Sequence, residues 1–134
     1  MILAIRTDSE ETQLRLYPTG AKPPTKPSAQ KIWTSGRNLS AELLLQVEGL
    51  LAGQSVNLAD LSGIIVFRGP GSFTSLRIGI TAANTLAYAL KLPIVGVNGD
   101  DWLTVGLDEL AKSPGPQIIT PQYDRAPSIT KSKR

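Results

Sequence analysis

The chain has 134 residues, which predicts one domain at the usual size of about 100–200 residues. Its 41% hydrophobic and 19% charged residues are typical of a globular protein. Because it contains no cysteine and no histidine, disulfide frameworks, thiol nucleophiles, cysteine or histidine zinc sites and imidazole-based catalytic triads are excluded. Any chemistry must therefore use carboxylates, hydroxyls, lysine, arginine or backbone amides.

No apolar stretch approaches the ~20 residues that a membrane span needs, and the first residues lack the charge pattern of a signal peptide. We expect a cytoplasmic protein without membrane contact. The net charge of +3 comes from the end of the chain, and we predict a folded lobe over 1–111 and a basic, Pro/Ser-rich, solvated tail over 112–134. Three tail residues are candidates for weak phosphate contact: Lys131, Lys133 and Arg134.

The first third of the chain predicts three strands. Residues 2–7 form a short apolar run, and residues 12–17 alternate polar and apolar side chains, as a half-buried strand does. A polar link between them favours a hairpin. Residues 18–30 contain four prolines and predict a loop, and residues 31–34 predict a third strand at the sheet edge.

Helices and buried strands then alternate. Ser40 is the expected N-cap of a first helix, with Leu39 and Leu44 spaced as a hydrophobic staple. Leu44 is also expected on the face of this helix that packs against the core. Strands follow at 64–67 and 94–97, both apolar on two sides as central strands are. This order predicts a layered α/β domain, a mixed sheet with flanking helices and parallel pairing of the later strands.

The remaining two helices flank the last strand. A second helix is predicted over 75–91 with Thr74 or a neighbour as N-cap, and a third from Asp100 to about 111. The loop before the second helix contains Gly69, Gly71 and Thr74, a spacing that suits a phosphate cradle. It lacks the lysine of a Walker loop, so a purely structural strand-to-helix turn is the other interpretation.

Each of the first two helices has a second face opposite its core face. On the first helix these residues are Ala41, Leu45, Gly49 and Ala52, and on the second they are Ile78, Ala82, Thr85 and Ala89. We call these two sets the outward faces. A helix that is apolar almost all round is expected to be buried almost all round, and small residues allow helices to approach closely. Either the two outward faces cover each other, or they pair with helices of another chain.

Residues 68–80, with the sequence RGPGSFTSLRIGI, closely resemble the signature of the TsaB family, also called YeaZ. The match continues through Ala82-Ala83-Asn84, Leu86-Ala87 and residues 92–97. More weakly, residues 2–5 and 41–52 fit the family's N-terminal lobe, and residues 121–125 fit its C-terminal ending. We call the following residues the signature loop: Gly69, Pro70, Gly71, Ser72, Phe73 and Thr74.

The resemblance implies a ribonuclease-H-like lobe of the actin/Hsp70 type of ATPase superfamily. It also implies a non-catalytic subunit that binds TsaD, an ATPase that places threonylcarbamoyl on the adenosine beside the tRNA anticodon. A small ATPase, TsaE, joins these subunits, and pairing occurs through N-lobe helices that form a four-helix bundle. The outward faces and Arg77, a candidate for an ion pair across the interface, are then the expected contact residues, without catalytic, cofactor or metal sites.

The sequence departs from the family pattern in four places. Arg6-Thr7-Asp8 stands where the family usually has Asp-Thr-Ser, and Arg6 reverses the charge that a magnesium ion requires. Ser75 replaces a usual glycine, no histidine precedes the first helix, and a second lobe is not found between Val97 and the tail. These departures predict a minimal one-lobe pseudo-ATPase. In the TsaD-binding subunit, tRNA is expected to be contacted weakly or indirectly, with the tail as the candidate. The alternatives are a nucleotide-binding domain that uses the signature loop, and a homodimer independent of TsaD.

Overall fold

The computed structural model describes residues 1–122. The strands are β1 (Ile2–Arg6), β2 (Glu11–Tyr17), β3 (Ala29–Thr34), β4 (Gly63–Phe67) and β5 (Ile94–Val97). The helices are α1 (Leu39–Gly53), α2 (Phe73–Leu90) and α3 (Trp102–Ala111), with short 3-10 turns at Gly36–Asn38 and Leu58–Asp60. The predicted α/β class and the order of its elements are confirmed.

The five strands form one mixed sheet in the order β3-β2-β1-β4-β5. β1, β2 and β3 pair antiparallel, whereas β4 pairs parallel with both β1 and β5. Every residue of β4 is buried, as its continuous apolar sequence predicts for a central strand covered on both faces. The parallel pairing brings the carboxyl ends of β1, β4 and β5 to one edge of the sheet, where the signature loop begins.

Helices cover both faces of the sheet. α2 lies against the end of β1, where Gly79 faces Thr7, and α3 lies on the opposite face, where Gly106 meets Ile65. α1 packs beside α2 and against β3. The core consists of the inward residues of the strands together with one stripe of each helix, which on α1 is Leu39, Leu43, Val47 and Leu51.

Three predicted helix starts differ from the structure. α1 begins at Leu39 with Asn38 as N-cap, because a 3-10 turn leads directly into the helix, so the prediction of Ser40 as the cap was wrong. Leu39 is buried inside the helix and Leu44 is half exposed, so they do not form the expected staple. α2 begins at Phe73 after Ser72, and α3 follows Asp101 rather than Asp100.

Part of the predicted tail contacts the lobe. α3 ends at Ala111, where the lobe boundary was predicted, but the chain then turns back and Ile119 becomes buried. Lys131, Lys133 and Arg134, the residues predicted to contact tRNA, lie outside the described residues. Within residues 1–122, no helix is long and apolar enough to cross a membrane.

Candidate functional site

The signature loop follows β4 and packs on the turn that follows β1. Its last two residues, Phe73 and Thr74, were predicted as loop but form the first turn of α2. The Ser72 amide donates a hydrogen bond to the Asp8 carbonyl at 3.0 Å. A Cβ atom added to Gly71 would lie 2.5 Å from the Asp8 Cβ, and Gly69 has a φ of +120°, which L residues other than glycine rarely adopt. Gly71 is therefore required by the close approach of the loop to the turn after β1, and Gly69 is required by its backbone conformation.

The polar groups beside the loop are paired with one another. Arg6 Nε lies 2.8 Å from Asp8 Oδ1, and Arg6 Nη2 donates to Asp8 Oδ2 at 3.1 Å. The Arg6 guanidinium also lies 3.9 Å from the centroid of the Phe67 ring and 5.8 Å from that of Trp102. A positive side chain with its own carboxylate thus occupies the edge where β1 and β4 end. Sequence reasoning found the charge reversal at Arg6 but not its aromatic partners.

The outward face of α1 is open to solvent. Leu45 is 68% exposed, and Ala41, Gly49 and Ala52 are exposed beside it. Residues 1–122 leave most of this large aliphatic side chain uncovered. The interpretation that the two outward faces cover each other would require Leu45 to be buried, and it is not.

The outward face of α2 lines a groove shared with α1. Ile78 and Ala82 are half-buried there, while Thr85 and Ala89 are exposed. The groove has a volume of about 460 Å³, and from α1 it is lined by Ser40, Leu43 and Leu44. Leu44, which the sequence assigned to the core face, is 48% exposed and belongs to this groove instead. The outward residues of α1 lie outside the groove, so the two predicted faces adjoin rather than oppose each other.

Arg77 lies at the edge of the groove near the start of α2. Its guanidinium is 5.2 Å from the centroid of the Phe73 ring, one turn earlier on the same helix. Both side chains are exposed. The structure therefore places the predicted interface cation over an aromatic ring at the mouth of the groove, adjacent to Thr74 and Ile78.

A mixed sheet of this order, with α2 starting within the signature loop, defines a single ribonuclease-H-like lobe. The family model described as "TsaD: tRNA N6-adenosine threonylcarbamoyltransferase" matches residues 33–117, and the chain belongs to this family. The structure of "YeaZ from Pseudomonas aeruginosa" is 31% identical, with a TM-score of 0.64 over 72% of this chain and 43% of that one.

Curated relatives carry two names. The TsaB protein of Bacillus subtilis, "tRNA threonylcarbamoyladenosine biosynthesis protein TsaB", is 44% identical over 62 residues, which is 46% of this chain and 27% of the relative. The "tRNA N6-adenosine threonylcarbamoyltransferase" of Listeria innocua is 30% identical over 109 residues, covering 73% of this chain and 32% of the relative. The chain therefore spans about a third or less of these two relatives. The resemblance to TsaB is confirmed.

Proposed function

We propose that this chain is a non-catalytic dimerisation subunit that binds TsaD and so contributes to the threonylcarbamoyladenosine modification of tRNA. The observation that carries the proposal is the exposure of Leu45 on an outward helix face that residues 1–122 leave largely uncovered. The names supply the context, since the TsaB relative is named for this biosynthesis and the TsaD family model for the transfer of threonylcarbamoyl to adenosine.

The chemistry of the two helices supports a helix-bundle interface. Ala41, Gly49 and Ala52 surround Leu45 with small side chains, which allow a partner helix to approach closely. The groove next to this surface offers Leu44 and Ile78 as apolar contacts. Two adjacent helices with apolar side chains beside a shared groove would form half of a four-helix bundle, and the partner would supply the other half.

Two features support a role without nucleotide chemistry. Arg6 places a positive charge at the sheet edge where a magnesium-dependent ATPase needs carboxylates. The Ser72 amide, which would face a phosphate, donates instead to the Asp8 carbonyl. TsaE and tRNA are then partners of the larger assembly in the cytoplasm, where the modification acts on tRNA, and TsaD is the direct contact.

The proposal is tested by co-purifying the chain with the TsaD of its own organism and measuring the mass of the complex by light scattering. We expect a complex containing both chains, lost in Leu45→Asp and in Ala82→Arg. Ile32→Asp is the matched control, because Ile32 is a 44% exposed aliphatic residue on β3, away from the outward faces. Failure of the wild-type chain to bind TsaD, or equal binding by all variants, would contradict the proposal.

Two further measurements distinguish the alternatives. Calorimetric titration with ATP, ADP and Mg²⁺ is expected to give no binding, whereas micromolar nucleotide binding by the chain alone would support a nucleotide-binding domain. A stable homodimer that is disrupted by Leu45→Asp and does not exchange with TsaD would support a homodimer independent of TsaD.

A further inference from the structure

Residues 117–122 lie in a cleft between α2 and β5, and they run from the start of β5 to the residues that follow β4 and β5. We call this segment the strap. It has no helix or strand hydrogen-bonding pattern of its own, and it is far in sequence from the elements it contacts. The Gln117 side-chain amide donates to the Ile94 carbonyl at the start of β5. The strap also contacts Arg68, Asn84, Gly96 and Asn98, which belong to or adjoin α2, β4 and β5.

Asn84 and Arg68 bind the backbone of the strap. Asn84 Nδ2 donates to the Ile119 carbonyl at 2.9 Å, and Asn84 Oδ1 accepts from the Ile119 amide at 2.9 Å. Arg68 Nε donates to the Thr120 carbonyl at 2.9 Å, while the Arg68 carbonyl accepts from the Gln122 amide at 2.6 Å. Asn84 and Arg68 each supply one hydrogen-bond donor and one acceptor to the strap backbone. The cleft therefore binds a peptide backbone through the same kinds of hydrogen bond that a neighbouring strand makes.

One strap side chain is buried in a socket on β5. Ile119 is 8% exposed, whereas the preceding Ile118 is 80% exposed. The socket exists because residue 96 is glycine: a Cβ atom there would lie 2.6 Å from Ile119 Cγ2. The cleft thus combines backbone hydrogen bonds with a single side-chain pocket, the arrangement by which sheet edges select extended peptides.

The far end of the strap reaches the signature loop. Asn98 Nδ2 donates to Gln122 Oε1 at 2.9 Å and also to the Gly69 carbonyl. The carbonyl of Gln122 packs against Gly69 where a Cβ atom on that residue would need to be. Asn98 therefore hydrogen-bonds both the strap and the signature loop.

We propose that Arg68, Asn84, Gly96 and Asn98 form a binding site for an extended peptide with an aliphatic β-branched residue at its centre, and that the strap is its ligand within this chain. The four residues belong to α2 and β5 or directly follow β4 and β5, so the core of the lobe positions them. The strap adds only one buried side chain to that core, Ile119. Segments with few buried apolar contacts open before the whole domain unfolds. The strap therefore detaches and rebinds as a unit, and the site accepts the same sequence from another molecule.

A labelled peptide with the sequence of residues 114–122 tests the site in the full chain. Ile119→Asp is expected to release the strap and to bind this peptide, while the wild-type chain binds it at least about tenfold more weakly, because the tethered strap competes at high effective concentration. Adding Asn84→Ala to Ile119→Asp, or changing the isoleucine in the peptide to aspartate, should abolish binding. A folded Ile119→Asp chain that does not bind the peptide would overturn the proposal.

Native-state hydrogen exchange of the wild-type chain gives a second test that does not depend on the folding of Ile119→Asp. The Ile119 and Gln122 amides are expected to exchange together and faster than the Ile64 amide, which bonds to the Pro93 carbonyl inside the sheet. Asn84→Ala should accelerate the first two and leave Ile64 unchanged. Exchange of all three at one rate would show the strap to be an inseparable part of the core and would overturn the proposal. Neither test involves TsaD, so its outcome is independent of the proposed function.

Discussion

Thr7 occupies the space that a side chain on Gly79 would need. Thr7 Cγ2 would lie 2.7 Å from a Cβ atom added at Gly79, and Thr7 Oγ1 donates to the Ser75 carbonyl at 2.8 Å on the same helix. The end of β1 is thereby held directly against the first turns of α2. This contact fixes the orientation of the helix on which half of the proposed interface lies.

Two helix glycines are predicted to respond in opposite directions to alanine. Gly79→Ala should lower the free energy of unfolding by about 1–3 kcal/mol, because the added methyl group overpacks against Thr7. Gly49→Ala should raise it by roughly 0.5–1 kcal/mol, because nothing lies within 4 Å of its Cβ position and alanine is the better helix former. Urea unfolding of the three proteins measures both changes. Equal effects would contradict the packing described at Gly79.

Removal of the Arg6 side chain is predicted to destabilise the lobe. Arg6→Ala removes a half-buried ion pair with Asp8 and the stacking on Phe67, so we expect a loss of about 1–3 kcal/mol in the free energy of unfolding. Arg77→Ala is the control, since its exposed contact with Phe73 should contribute only about 0.5–1 kcal/mol. Thermal or urea unfolding gives the comparison. A larger loss for Arg77→Ala would refute this assignment.

Stability at alkaline pH is predicted to depend on Tyr17. Burial raises the pKa of the Tyr17 hydroxyl above its usual value of about 10, and the positive charge of Arg15 opposes this shift. The folded chain therefore keeps the proton to higher pH than the unfolded chain does. The stability due to the buried neutral hydroxyl is complete below about pH 10 and is lost as the pH rises through the folded pKa. Tyr17→Phe should show a shallower decline in unfolding free energy above pH 10, and identical slopes would contradict this prediction.

Features of the fold that depend on local residue patterns were predicted from the sequence, whereas features that depend on contacts between distant residues were not. The apolar run at 64–67 correctly indicated a central strand, and the alternation at 12–17 a half-buried one. The prediction of Ser40 as N-cap was wrong because the position of a cap depends on where the preceding turn ends. Here a 3-10 turn ends at Asn38, so the helix already begins at Leu39. The pairing of Asn84 with Ile119 joins residues far apart in the chain, and neither carries a local signal for the other.

The candidate site was predictable in part. The spacing of residues opposite each core face predicted the outward faces. The same helical periodicity placed Leu44 in the core, because it considers each helix alone. The groove arises only when α1 and α2 pack together. That these surfaces bind another chain stays a prediction.

The most direct test of the central claim is the accessibility of Leu45 in the presence of TsaD. Because the chain has no cysteine, Leu45→Cys introduces a unique thiol, and Ile32→Cys gives an equivalent thiol on β3. On saturation with TsaD we predict that alkylation of the thiol in Leu45→Cys slows at least about tenfold while the thiol in Ile32→Cys reacts at an unchanged rate, as burial of one face requires. Unchanged alkylation of Leu45→Cys in a complex shown by mass to be formed would contradict the account.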